Sequence, residues 1–251
     1  MLSVMFFRQF RSLCLAMMLI CIAAGARAEN EGAGAGMPTR LSSAEVVEQM
    51  HNHTTIRIQE LKHFTALRHY QVEYKGYSAT IVGKMDVEAN YDAGQGMSFR
   101  IVSQSGSKFL CDKVLKRAVD SEVEASRNRA STELTPANYK FQMVDNEMIA
   151  GRPAYILKVE PLSDGKFLYR GKIWVDAADF EVVKMEAEPA RNPSFFISRT
   201  LIHYTGAPAH GFWLPQKIRS ETKVRIGGTA VLTIDYGTYE VESKPLNIAA
   251  N

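Results

Sequence analysis

The residues between positions 51 and 69 that could do chemistry are four histidines, His51, His53, His63 and His69. A zinc helix needs two histidines four residues apart on one face, with an acid beside them. His51 and His53 are two apart on a stretch of helical period, so they point in different directions, and no acid lies between them. They read as surface or helix-end histidines. Cys111 falls on the apolar side of a second helical stretch, where a thiol is buried and inert. No Gly-x-Ser-x-Gly occurs, and Asp176 and Asp179 flank a turn that they cap. Asn52-His53-Thr54 is a glycosylation sequon that matters only in a eukaryotic host. The glycines of "EGAGAGMP", residues 31–38, follow no strand, so they read as a flexible leader and not a phosphate loop. These types and spacings point away from an enzyme, and no metal or cofactor is expected.

The start of the chain is a targeting device. Arg8 and Arg11 precede an apolar run from Leu13 to Ala24, and Ala26-Arg27-Ala28 offers the small residues that a signal peptidase requires. The run is short of the ~20 residues of a membrane span. A lipidated cysteine normally follows a small residue, but Cys21 follows Ile20. Cleavage after Ala28 therefore releases the exported protein without a permanent membrane anchor. Residues 29–41 form the leader and 42–245 one domain. The formal charge of +3 belongs to the signal: three of the 30 basic residues, Arg8, Arg11 and Arg27, lie before the cut, leaving 27 against 27 acids. No excess remains to attract nucleic acid. Cys111 is the one cysteine after the cut, so no internal disulfide can form.

Two kinds of period organise the rest. Ser42-x-x-Glu45 is a capping box, and Val46, Val47, Met50 and Ile58 follow at helical spacing, which predicts a helix over 43–61. From Phe64 the period becomes two. Tyr70, Val72 and Tyr74 alternate with polar residues, as do Met85, Val87, Ala89 and Tyr91, and "MSFRIVS" (97–103) continues the pattern. A second helix over 107–127 places Phe109, Leu110, Val114, Leu115, Ala118, Val119 and Val123 on one side. Strands resume after Pro136, with Gly165, Asp176 to Asp179, Gly206 and Gly227-Gly228 marking turns. The fold class is mainly β with α: a curved antiparallel sheet of about ten strands, with one wet and one apolar face, covered by two amphipathic helices.

Two helices cover only part of such a face, so the sheet either packs as a core or encloses a hollow. Methionines at inward positions, Met85, Met97, Met143 and Met185, favour the hollow, since thioethers adapt to shapeless ligands. The lining expected is Tyr70, Val72, Tyr74, Met85, Val87, Phe99, Ile101, Leu110, Leu115, Met143 and Met185.

The segment "AYILKVEP…YRGKIWVDAADFEVVKMEAEP" (154–189), with "GFWLPQKIRSETKV" after it, resembles the LolA-like outer-membrane lipoprotein-sorting proteins. The resemblance implies a half-open β-barrel with a helical lid and no cofactor. It implies a soluble periplasmic carrier that shelters an acylated lipoprotein or another lipid between an inner-membrane donor and an outer-membrane acceptor. The alternative within the same fold is an envelope-stress sensor that binds a partner protein. The family's Arg-Pro before Phe-Arg, tied to lid closure, is replaced here: Asp92-Ala93 precede Phe99-Arg100 in "YDAGQGMSFRIVS". No gating arginine is carried over from that stretch.

Overall fold

The structure, a computed structural model, describes residues 41–192, 194–225 and 227–243. The export signal with Cys14 and Cys21, the leader as far as residue 40, and residues 244 and 245 of the expected domain lie outside the described residues.

Helix α1, Ser43–Glu60, begins on the capping box read from the sequence. Ser42 Oγ accepts from the Glu45 amide, and the Ser42 amide donates to Glu45 Oε2 at 2.7 Å. Both halves satisfy amides that a helix start leaves without partners. Val46, Val47 and Met50 face the sheet. Three antiparallel strands follow: β1 (Leu61–Lys75), β2 (Thr80–Asp92) and β3 (Gly96–Gly106). The second helical stretch, α2, covers 108–127 in consecutive segments. Lys108–Leu110 is α-helical, Cys111–Leu115 is a π turn, and Lys116–Arg127 is α-helical. Its start lies close on β2 because Gly83 has no side chain; a Cβ there would stand 2.9 Å from the Leu110 Cβ. The remaining strands run β4 (Tyr139–Ile149), β5 (Arg152–Pro161), β6 (Tyr169–Asp176), β7 (Val182–Pro189), β8 (Ile197–Ala209), β9 (Phe212–Val224) and β10 (Thr229–Ser243).

All ten form one antiparallel sheet in the order β3-β2-β1-β10-β9-β8-β7-β6-β5-β4. The pairing of β1 with β10, from Leu61↔Ser243 to Lys75↔Thr229, joins the two ends of the domain. The sheet curves without closing: β3 and β4 are its edges. α2 packs on β1, β2 and β3, whereas α1 touches both β1 and β4, so the sheet bends around α1. One continuous apolar core fills the space between the concave face and the helices. A smaller cluster on the sheet, Ala154, Ile156, Trp174, Val183 and Trp213, stands apart from that core. Each tryptophan in it is tied down by its indole N–H, Trp174 to Glu147 at 2.6 Å and Trp213 to Asp179 at 2.8 Å.

One expected turn is not a turn. Gly206 lies inside β8, where the pairing with β9 shifts by a residue between Thr205 and Gly206, and the strand runs on to Ala209. An isolated glycine in a strand marks a bulge as readily as an end; the reversal comes at His210-Gly211.

Candidate functional site

The helical cover meets the sheet through two buried charge pairs. Arg68 on β1 is 0 % exposed and donates from Nη1 to Glu122 Oε2 of α2 at 2.8 Å. Tyr70, two residues along the same strand, donates its hydroxyl to Glu122 Oε1 at 2.7 Å. The Arg68 guanidinium also lies 5.0 Å from the ring centroids of Phe99 on β3 and Tyr236 on β10. The Tyr236 hydroxyl, beside it, is buried with no hydrogen-bond partner among the described residues. The second pair has the opposite polarity. Arg57, buried in the last turn of α1, pairs with buried Glu181 just before β7 and donates to the Asp179 carbonyl at 3.2 Å.

Burial sets the electrostatics. It lifts the Glu122 carboxyl above the ordinary carboxylate value, and Arg68 with the Tyr70 hydroxyl pulls it back only in part. Burial works against the Arg68 charge too, but the Glu122 carboxylate outweighs it and the guanidinium is held more firmly protonated than usual. The Tyr70 and Tyr236 phenols are pushed well up, chiefly by burial. The site is a charge pair set in an apolar wall.

Of the residues expected to line a hollow, Tyr70, Val72, Met85, Val87, Leu110, Leu115 and Met185 are buried in the continuous core. Tyr74, Phe99 and Met143 are half-buried against it. Ile101 departs from the pattern. It opposes Val87 at a bulge on the outermost strand and is 40 % exposed. A cavity of about 130 Å³ opens beside α1, between Met50, Thr54, Ile58, Leu134, Phe180 and Val182, with Glu181 in its wall. Small-molecule sites usually measure ~300–1,000 Å³, so this cavity is smaller than a typical ligand site.

Arg68, Glu122, Arg57 and Glu181 were not among the residues singled out from the sequence, yet the periods contain them. Arg68 is two before Tyr70 and therefore on the apolar face of β1. Glu122 follows Ala118 and Val119 at helical spacing, and Arg57 lies seven after Met50. Following only the apolar members of each stripe hides the charged ones. The stretch that departs from the family pattern supplies only a turn and a surface pair: Asp92 Oδ1 accepts from the Gly94 amide at 2.8 Å, and Arg100 meets Glu88 at 2.6 Å. Arg68 on β1 and Arg57 on α1 are the buried arginines among the described residues.

The described residues carry no catalytic arrangement. Among them, no group of three or more His, Cys, Asp or Glu could hold a metal. His69, Asp86 and Ser103 are in contact, but Asp86 sits in the middle, 2.8 Å from the imidazole and 2.7 Å from the hydroxyl. A serine is activated by a histidine placed between it and the acid, and this order provides none. Asp176 caps its turn as expected, accepting from the Ala178 and Asp179 amides, and also binds Arg152 through two bonds. Cys111 is buried, its thiol donating to the Lys84 and Ser105 carbonyls. Among the described residues no helix is long and apolar enough to cross a membrane.

The chain matches no protein-family model and no curated protein. Solved structures of similar shape include a proposed outer membrane lipoprotein-sorting protein domain from Vibrio parahaemolyticus. That likeness covers 83 % of this chain and 95 % of the other, at 10 % identity and a TM-score of 0.47. A LolA superfamily protein from Nitrosomonas europaea is similar over 84 % of this chain and 99 % of its own, at 14 % identity and a TM-score of 0.35. The MucA/MucB complex of Pseudomonas aeruginosa contains a chain similar over 72 % of this one and 94 % of its own, at 10 % identity and a TM-score of 0.23. At such identities and scores the likeness carries nothing about what this chain binds.

Proposed function

We propose that the chain is an exported lipid carrier whose helices close over the concave face of the sheet and lift to admit acyl chains. The observation that carries this reading is the way the cover is fastened, by the buried pairs Arg68–Glu122 and Arg57–Glu181. A permanent core gains little from such pairs, because desolvating two ions offsets most of their attraction. A cover that must open gains from them: once water enters, the ions are hydrated, and the latch costs little to break compared with its directional strength when shut. The apolar face then lies free for a ligand that water rejects. A sixteen-carbon acyl chain costs on the order of 12 kcal/mol in water at ~0.8 kcal/mol per CH₂. The lining proposed for the open state is the set of core residues from Tyr70 to Met185 described above, with the half-buried Met143 and Phe99 at its margin. The cargo is an acylated lipoprotein or another lipid, passed from an inner-membrane donor toward an outer-membrane acceptor.

Mass spectrometry of lipid that copurifies with the protein from its native host tests this, together with displacement of a bound hydrophobic dye by acyl chains. Bound lipid and displaced dye are expected. A folded protein that carries no lipid and takes up no dye overturns the carrier reading.

A second reading, a regulatory sensor that binds a partner protein, has its own support in the open sheet edges. β3 exposes Ile101 and Val102, and β4 exposes Val144 and Met148, along strands with one neighbour each. An extended partner segment can add to such an edge through main-chain hydrogen bonds. Proline substitutions along β3 would then abolish partner capture while leaving dye displacement intact.

A further inference from the structure

The two rims of the sheet differ in charge and in exposed apolar surface. One rim holds the turns after β2, β4, β6 and β8. It gathers Asp92, Asp176, Asp179, Glu181, Glu240 and Glu242, with Arg57, Lys62 and Arg152 as counter-charges. On the other rim lie the connections after β1, β3, β5, β7 and β9; the turns after β1, β7 and β9 are neighbours there, as the strand order β2-β1-β10-β9-β8-β7 dictates. The charged residues described in those three turns and at their edges are Lys75, Arg191, Lys223 and Arg225, with Glu73, which pairs with Lys75 at 3.2 Å, and Glu188, which pairs with Arg199. Large aromatic side chains stand in water here: Tyr77 is 91 % exposed and Phe195 76 %.

Contacts join these turns into one surface. The Tyr77 ring lies against Gly227, whose φ of +118° suits glycine and where any side chain would collide with that ring. Tyr74 holds the same turn by donating its hydroxyl to the Gly227 carbonyl at 3.0 Å. Next to it the Arg225 guanidinium covers the Phe195 ring, 5.2 Å from its centroid, and Phe195 meets Phe196 edge to face at 5.8 Å. The aromatics are thus presented by a pinned scaffold.

We propose that this rim docks on an anionic lipid bilayer, with Tyr77 and Phe195 entering the headgroup layer and Lys75, Arg191 and Arg225 facing lipid phosphates. Aromatic rings are favoured at the membrane–water interface, and basic residues beside them are drawn to an anionic leaflet. The acidic rim at the far end completes a charge asymmetry that turns the molecule basic end first toward a negative plane. The inference goes beyond the carrier reading, since docking requires neither cargo nor an open cover.

Sedimentation with vesicles tests it, comparing phosphatidylcholine alone with a phosphatidylcholine–phosphatidylglycerol mixture. The protein is expected to sediment with the anionic vesicles, and to be released by salt as screening shortens the range of the charges. Arg191→Gln with Arg225→Gln should weaken binding roughly 25-fold, from about fivefold per basic residue. Tyr77→Ser with Phe195→Ser should weaken it at unchanged charge, and Lys62→Gln on the far rim should leave it unaltered. Failure of the unaltered protein to bind anionic vesicles overturns the proposal, as does wild-type binding by both rim variants. Capture of a protein by this rim without vesicle binding overturns it equally. Dye displacement by acyl chains, measured without vesicles on the same variants, should not change, which keeps failure of docking apart from failure of the carrier reading.

Discussion

Replacing Glu122 with glutamine isolates the latch between α2 and the sheet. Arg68 is 0 % exposed and Glu122 2 %, so the substitution strands a cation where water cannot reach it. Breaking a buried pair from one side costs ~3–5 kcal/mol. Glutamine keeps an acceptor for the Tyr70 hydroxyl, and the Phe99 and Tyr236 rings still face the guanidinium at 5.0 Å. The expected loss is therefore near the low end, about 3 kcal/mol, read from the urea midpoint at constant m. Arg68→Met with Glu122→Leu, made together with Tyr70→Phe so that no buried hydroxyl loses its acceptor, removes both charges and fills the space with apolar atoms. That triple variant should be as stable as the wild type or gain ~1–4 kcal/mol. If the pair is a latch, it should also take up hydrophobic dye more slowly, because the apolar cover no longer gains hydration when it lifts. A loss below ~1 kcal/mol for Glu122→Gln would mean a pair solvated like a surface one and would refute the reasoning. Dye uptake at the wild-type rate in the triple variant would leave the pair a structural feature only.

Asp176 makes the stability of the fold depend on pH. Burial acts to raise it, but Arg152 and the Asp179 and Ala178 amides together hold it below the ordinary 3.8. Its contribution is present above that value and is lost as pH falls through the folded one. Asp176→Asn should cost about 1.5–3 kcal/mol at neutral pH, and the difference should narrow below pH 3.8. Cys111 should react slowly with a thiol reagent in the native protein and fast after unfolding, since it is 2 % exposed; rapid native modification would reopen a catalytic role.

The local chemistry of the chain determined much of this molecule by itself. The Ser42–Glu45 box set the start of α1, the period of two placed Tyr70, Val72, Met85 and Val87 on one face, and the helical stripe buried Cys111. Each of these rests on neighbours a few residues apart, whose relation the backbone geometry imposes. Period also assigned Arg68 to the buried face, but what makes an arginine tolerable there is Glu122, 54 residues away. Only the curvature of the sheet, continuous across the β1–β10 pairing and bent around α1, decides that the two meet. The same holds for Ile101, inward by alternation yet left in water on an edge strand, and for Gly206, a bulge and not a turn. The aromatic rim joins turns more than a hundred residues apart in the chain. Alternation tells which face a side chain takes, whereas strand pairing and bending decide what stands opposite it, because those depend on contacts the chain makes only once it is folded.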